Sequence, residues 1–184
     1  MDNDINDLEV EEEIEDDITT ERYDIATYSS DYTVSVLYDM WEKNDIEIPD
    51  YQRKYVWTIK QASLLIDSLL TGLPIPPLFF YIDDEYKNLV IDGQQRLLSI
   101  VYYIDGFFGE EDSKGKKRVF RLSGLSDKSQ YKEKRFIDLD EQDQRKLKQS
   151  IIRVINIRQL NPEGDRSCAY HIFERLNTGG VSIP

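Results

Sequence analysis

Three prolines in five residues, Leu73-Pro74-Ile75-Pro76-Pro77, constrain this chain more than any other feature. Proline lacks a backbone N–H and its ring clashes inside a helix or a central strand, so the elements on either side must be separate. On the N-terminal side, Thr58 with Gln61 three residues later has the capping-box form, and Ala62, Leu65, Ile66, Leu69 and Leu70 share one helical face before Gly72 supplies a stop. On the C-terminal side, Leu78-Phe79-Phe80-Tyr81-Ile82 has the β-branched and aromatic content of a buried strand. Residues 83–88 then form the turn of a hairpin whose second strand is Leu89-Val90-Ile91. Asp92-Gly93 breaks that strand, and Leu97, Leu98, Val101 and Ile104 mark a helix running to about Gly106.

The rest of the chain reads the same way. Val34, Leu37, Tyr38 and Trp41 have helical spacing within 33–44, and a short extended piece spans 45–49. A polar helix is expected over 140–149 and a strand over 151–157. Asn161-Pro162 is the expected start of a last helix, with Ala169, Ile172, Phe173 and Leu176 as its core face and Asn177-Thr178-Gly179-Gly180 as its end. No internal repeat is visible. The expected class is α+β, one small sheet packed with helices, with a basic insert beside it.

Charge is distributed unevenly. The chain of 184 residues has 36 acidic and 23 basic residues, net -13, which excludes a protein held on nucleic acid by overall charge. Residues 1–24 hold twelve of the acids and one base, Arg22, and 1–17 has no aromatic residue. Such a segment buries too little surface to offset the entropy of ordering, so we expect 1–24 to be a disordered acidic tail and 25–184 the folded domain. A nucleic-acid mimic or an autoinhibitory strap is the functional alternative to a solvated terminus. In contrast, 114–135 holds nine bases against Asp127 and Glu133. It reads either as a phosphate-contacting patch or as a polar connection over 109–115 followed by a strand over 116–122 with one solvated face.

One cysteine, Cys168, and one histidine, His171, exclude a disulfide framework and a multi-cysteine zinc site. Metal chemistry would therefore rest on carboxylates, amides or bound phosphate. There is no signal peptide pattern and no apolar run near the roughly 18 residues that span a bilayer. A soluble, cytoplasmic, reducing location with no membrane partner is expected.

Three polar clusters could carry chemistry. In Ile91-Asp92-Gly93-Gln94-Gln95-Arg96 a strand passes through glycine into a helix, aiming free N–H groups and the positive helix end at one point, as an anion site requires. Arg96 could fork onto a phosphate, Gln94 and Gln95 add neutral donors and acceptors, and Asp92 is the carboxylate that a phosphate-bound Mg²⁺ or an attacking water needs. Strand-Asp-Gly-helix is also a common way to turn a corner. Gln52 and Arg53, flanked by aromatics, form the second cluster, and Glu174 and Asn177 before Gly179-Gly180 form the third. Trp57 and the tyrosines near Arg53 offer stacking surface, with core and rim packing as their alternative.

These residues also carry a resemblance. Ile48-Pro49-Asp50-Tyr51-Gln52-Arg53-Lys54-Tyr55-Val56-Trp57, then Leu65-Ile66-Asp67-Ser68-Leu69-Leu70-Thr71-Gly72, then Val90-Ile91-Asp92-Gly93-Gln94-Gln95-Arg96-Leu97, then Phe173-Glu174-Arg175-Leu176-Asn177-Thr178-Gly179-Gly180 resemble, in order, the N-terminal domain of GmrSD-type restriction endonucleases. The similarity spans 32–184. It implies a ParB/sulfiredoxin-like core whose motifs surround a nucleoside triphosphate (NTP) and its Mg²⁺, with hydrolysis that regulates DNA cleavage in a prokaryotic defence system. By the same resemblance Asp92, Gln94, Gln95 and Arg96 would be catalytic. Gln52, Arg53, Gly93, Arg96, Asn177 and Thr178 would hold the nucleotide, and Asp92, Glu174 and Asn177 the metal.

The acidic tail has no counterpart in these motifs. Family members normally continue into helical segments and often a His-based nuclease domain, so 25–184 is expected to be the N-terminal part of a longer protein. The partners implied are a nucleotide and DNA, the latter through the full-length protein or a partner nuclease, with self-association left open. The alternative is a DNA-recognition or protein-docking module in which the motifs only hold the fold and the basic insert makes the contacts. A nuclease built on Asp50, Glu85 and Lys87 is disfavoured, because the last two sit in the expected hairpin turn.

Overall fold

The computed structural model describes residues 24–109, 115–161 and 167–178, and of Ser167, Asn177 and Thr178 the backbone only. Strand β1 (Asp24–Thr33) runs directly into helix α1 (Val34–Glu42), where the Thr33 hydroxyl accepts a hydrogen bond from the Val36 amide at 3.3 Å. This is the ordinary way a threonine satisfies an otherwise orphaned first-turn donor. Strand β2 (Ile46–Glu47) follows, then α2 (Ile59–Thr71). The capping box of α2 is reciprocal: Gln61 N donates to Thr58 Oγ1 at 3.3 Å and Thr58 N donates to Gln61 Oε1 at 2.9 Å. At its other end Gly72 takes φ 81, a left-handed conformation that glycine adopts without a Cβ penalty.

The proline run then delivers the chain to β3 (Leu78–Ile82), which turns into β4 (Asn88–Asp92) and, through Gly93, into α3 (Gln94–Asp105). Short strands β5 (Phe107–Phe108) and β6 (Arg118–Val119), a 3-10 turn at Phe136–Asp138, α4 (Glu141–Gln149), β7 (Ile151–Asn161) and α5 (Ser167–Thr178) complete the order.

The five-stranded sheet has the order β1-β7-β3-β4-β2. It is mixed: β1 with β7 and β3 with β4 are antiparallel, while β7 with β3 and β4 with β2 are parallel. Period-2 alternation places Leu78, Phe80, Val90, Ile152 and Val154 on one face, where they meet Leu37, Ile66, Leu70, Leu97, Ile100 and Leu147 from α1 to α4. Each fully buried Leu or Ile in such a cluster contributes about 1.5–3 kcal/mol. The opposite face carries a smaller cluster, Tyr81, Leu89, Ile91, Ile157 and Ala169, covered by α5. The class is thus α+β, as the sequence implies.

Four expectations change. The start of the folded domain, to which the sequence pattern assigns no element, is a strand: β1 starts at Asp24 and pairs with β7 along its whole length. Its polar stretch Thr27-Tyr28-Ser29-Ser30-Asp31 masks the strand, because an edge strand leaves much of its surface in water. The strand expected over 116–122 shrinks to Arg118–Val119, since beyond it Phe120 and Leu122 turn fully inward and Leu122 N bonds to Lys134 O instead of to a neighbouring strand. Strand β7 extends four residues past the expected end at Ile157. Leu176, assigned to the core face of α5, is 37% exposed. Residues 1–23, 110–114, 162–166 and 179–184 lie outside the described residues, and with them nearly all of the acidic tail, the expected helix start at Pro162 and the Gly179-Gly180 stop.

Candidate functional site

The proline run and the strand–glycine–helix turn are physically joined. Arg96, in the first turn of α3, donates through Nη1 to Pro76 O at 2.7 Å and Pro77 O at 2.9 Å, and through Nη2 to Asp92 Oδ2 at 2.6 Å. A guanidinium supplies several fixed donors, so one side chain can clamp two proline carbonyls and a carboxylate together. Gly93 between them has φ 95, and a Cβ there would collide with Leu78 Cδ2. The turn therefore requires glycine for both backbone conformation and space.

The loop 52–57 is stitched to the same turn by two amides. Gln52 Nε2 donates to Val90 O at 3.0 Å and to Ile91 O at 2.9 Å. Gln95 Oε1 accepts from Val56 N at 2.8 Å and Trp57 N at 3.1 Å, while its Nε2 donates to Lys54 O at 3.3 Å. The Tyr55 hydroxyl bonds Ser99 Oγ at 2.8 Å, and burial pushes its pKa up to about 12, so it stays protonated. Sequence reasoning placed Gln52 and Gln95 at the site but missed these structural roles. Their partners are main-chain atoms about forty positions away, and no local pattern announces them.

What these bonds leave over defines the site. No side chain caps α3, so the amides of Gln94, Gln95 and Arg96 face outward with the positive helix end. Arg53 is exposed and Gln94 is 7% exposed, yet neither makes a side-chain hydrogen bond or ion pair among the described residues. Both line a cleft of about 200 Å³ together with Gln52, Trp57, Asp92, Gly93, Gln95 and Arg96. The first and second motifs thus meet in one polar hollow with an unspent guanidinium, an unspent amide and an open helix start.

The late motif lies next door. Tyr51 packs its ring against Phe173 at 5.2 Å and edge-on to Tyr170 at 5.6 Å, bringing α5 against the 52–57 loop. Glu174 is exposed and lines neither this cleft nor the larger one beside it. It bonds the Tyr170 hydroxyl, raising that group's pKa, and lies 3.8 Å from His171 Nδ1. The side chains of Asn177 and Thr178 are outside the described set. Among the described residues no group of three His, Cys, Asp or Glu side chains could hold a metal ion.

The basic insert is less available than its composition implies. Arg121 and Arg135 both reach Asp138, at 3.4 and 2.7 Å, and Lys132 pairs with Asp127. The Arg135 hydrogen bonds hold the Asp138 carboxyl well below the usual range. Arg118 lies over the Phe108 ring and Lys117 over Phe107.

Residues 34–183 match the family described as GmrSD restriction endonuclease, N-terminal domain. The chain belongs to this family. It is thereby a component of a restriction-type defence system. No curated protein and no solved structure matches the chain. Strand β1 precedes the matched range but completes the sheet of this GmrSD N-terminal domain. Among the described residues, no helix is long and apolar enough to cross a membrane.

Proposed function

We propose that this domain, on a ParB/sulfiredoxin-like core, binds an NTP with Mg²⁺ at the start of α3. Its hydrolysis would license DNA cleavage by the full-length protein or a partner nuclease. The observation that supports this reading is the uncapped helix start opening into the 200 Å³ cleft beside Arg53 and Gln94, whose side chains have no partner among the described residues. The donor set fits polyphosphate: main-chain N–H groups and a helix dipole for one phosphate, and Arg53 as a free fork for another.

The carboxylate of Asp92 accepts from Arg96 through Oδ2, leaving Oδ1 for a phosphate-bound metal or a water. A metal here would rest on Asp92 and phosphate oxygens, because Glu174 lies outside the cleft; Mg²⁺ commonly keeps several waters in such sites. The metal's contribution is to neutralise charge that develops on the phosphates. Arg96, held by Pro76 and Pro77, fixes the direction of the Asp92 carboxylate; a direct fork from Arg96 onto phosphate would require giving up those bonds. Gln94, one turn-position from the helix start, can orient a water or a phosphate oxygen.

Thermal shift of the full chain with ATP, GTP, CTP and UTP, with and without Mg²⁺, followed by phosphate release for any hit, tests the reading. A raised midpoint with at least one NTP that Arg53→Ala abolishes is the expected result. No shift with any NTP, together with unchanged DNA restriction by full-length Asp92→Ala protein, would sink it.

A further inference from the structure

A second cleft, about 370 Å³, opens beside the first and shares Gln52, Arg53 and Gln94 with it. Its character differs. Trp41 of α1, Ile48 and Pro49, Tyr55, and Leu98 with Tyr102 of α3 supply flat and apolar walls, and Asp50 and Lys54 stand at its rim. Tyr55 and Tyr102 meet edge-to-face at 5.1 Å, and Tyr55 meets Phe108 in the same way at 5.6 Å, so the aromatic wall is held in position by neighbouring rings. The Gln95 bonds to Val56, Trp57 and Lys54 fix the loop that carries Tyr55.

Gln94 stands where the two clefts meet. It is more than nine-tenths buried, it lines both clefts, and its amide has no hydrogen-bond partner among the described residues. The residue is enclosed but its amide atoms open into the clefts, so its donors and acceptor stand at the junction of a polar and an aromatic hollow, where a ligand that spans both would meet them. An inorganic polyphosphate would occupy only the polar half.

We propose that the larger cleft is a nucleobase subsite. The ring stacks within the Trp41, Tyr55 and Tyr102 walls, Gln94 hydrogen-bonds the nucleoside where the clefts meet, and the phosphates extend toward α3. This inference rests on the phosphate site proposed above and names what that site's ligand must carry: a planar heterocycle, with Asp50 and Lys54 available to its polar edge.

The test is calorimetric titration of the full chain, in Mg²⁺, with each of the four NTPs and with sodium tripolyphosphate. At least one NTP should bind about tenfold or more tighter than tripolyphosphate, as stacking of a base on aromatic side chains predicts. Trp41→Leu and Tyr102→Leu should each erase most of that difference and leave tripolyphosphate binding unchanged. Equal affinity for tripolyphosphate and every NTP overturns the base subsite and leaves the phosphate site standing. Binding of neither overturns both. Should a variant lose its cooperative melt, the wild-type ratio of NTP to tripolyphosphate affinity decides alone.

Discussion

Around the start of α3, Gln52, Gln95 and Arg96 are committed to main-chain partners, while Arg53 and Gln94 have no side-chain partner among the described residues. In the satellite of 115–139, Arg121, Lys132 and Arg135 all meet carboxylates. The first region has few charges and leaves one guanidinium unspent; the second has eight bases, of which these three share two carboxylates. Pairing, which only the fold determines, decides where an anion finds an unmet donor.

The largest effect should come from the turn on which the first region depends. Gly93→Ala puts a Cβ into Leu78 at a positive φ, so strain and overpacking together should cost about 3 kcal/mol or more, read as a lowered urea midpoint. A variant as stable as wild type would show that the turn can relax.

Next, Gln95→Ala and Arg53→Ala separate committed from unspent groups. Gln95→Ala leaves the Val56 and Trp57 amides without their acceptor. It should destabilise by about 2 kcal/mol and speed amide exchange at those two positions. Arg53→Ala should change stability by no more than about 0.5 kcal/mol while removing nucleotide binding. The reverse pattern would break the distinction.

Arg96→Lys removes the fork but keeps the charge. One ammonium cannot reach both proline carbonyls and Asp92 in the same geometry, so a loss of about 1 kcal/mol is expected by thermal denaturation. Full stability in Arg96→Lys would mean the clamp is electrostatic only.

The satellite gives the smallest effects. Because the folded pKa of Asp138 lies below its unfolded value of about 3.9, its contribution is present above that pH and is lost as pH falls through the folded value. The thermal midpoint of the wild type should fall as pH drops below about 4, and fall less in Asp138→Asn, which lacks the titrating carboxyl. Freeing the cations with Asp127→Asn and Asp138→Asn should create modest, salt-sensitive duplex binding. Strong duplex binding by the wild type would show that the ion pairs do not neutralise the patch.

The elements flanking the prolines were legible because each carries its own local signal: Thr58 and Gln61 cap one another, Gly72 and Gly93 adopt the left-handed angles they alone take easily, and residues 78–82 are buried nearly throughout. Strand β1 was not, since its polar alternation has meaning only beside β7. The site divided in the same way. Asp92, Gly93 and Arg96 stand in one local motif, and Gln52 and Arg53 could be picked out as an odd polar pair. Which of these are free and which are bonded depends on carbonyls and amides that sequence neighbours do not reveal. The walls contributed by Trp41 and Tyr102 come from two helices with no shared motif.

Strand β1 has a mechanical consequence. Asp24 lies opposite Asn161 and Thr33 opposite Ile151, so the chain before β1 and the chain after β7 leave the sheet at the same corner. Tension between those two points would load the ladder one rung at a time, as a zipper opens, starting at the bulge between Asp24 and Ile25. The same pull would not shear β7 from β3, whose parallel pairing lies on the other side of β7. The outermost strand can peel away under low force while the strands that hold Gly93 and Arg96 stay in register.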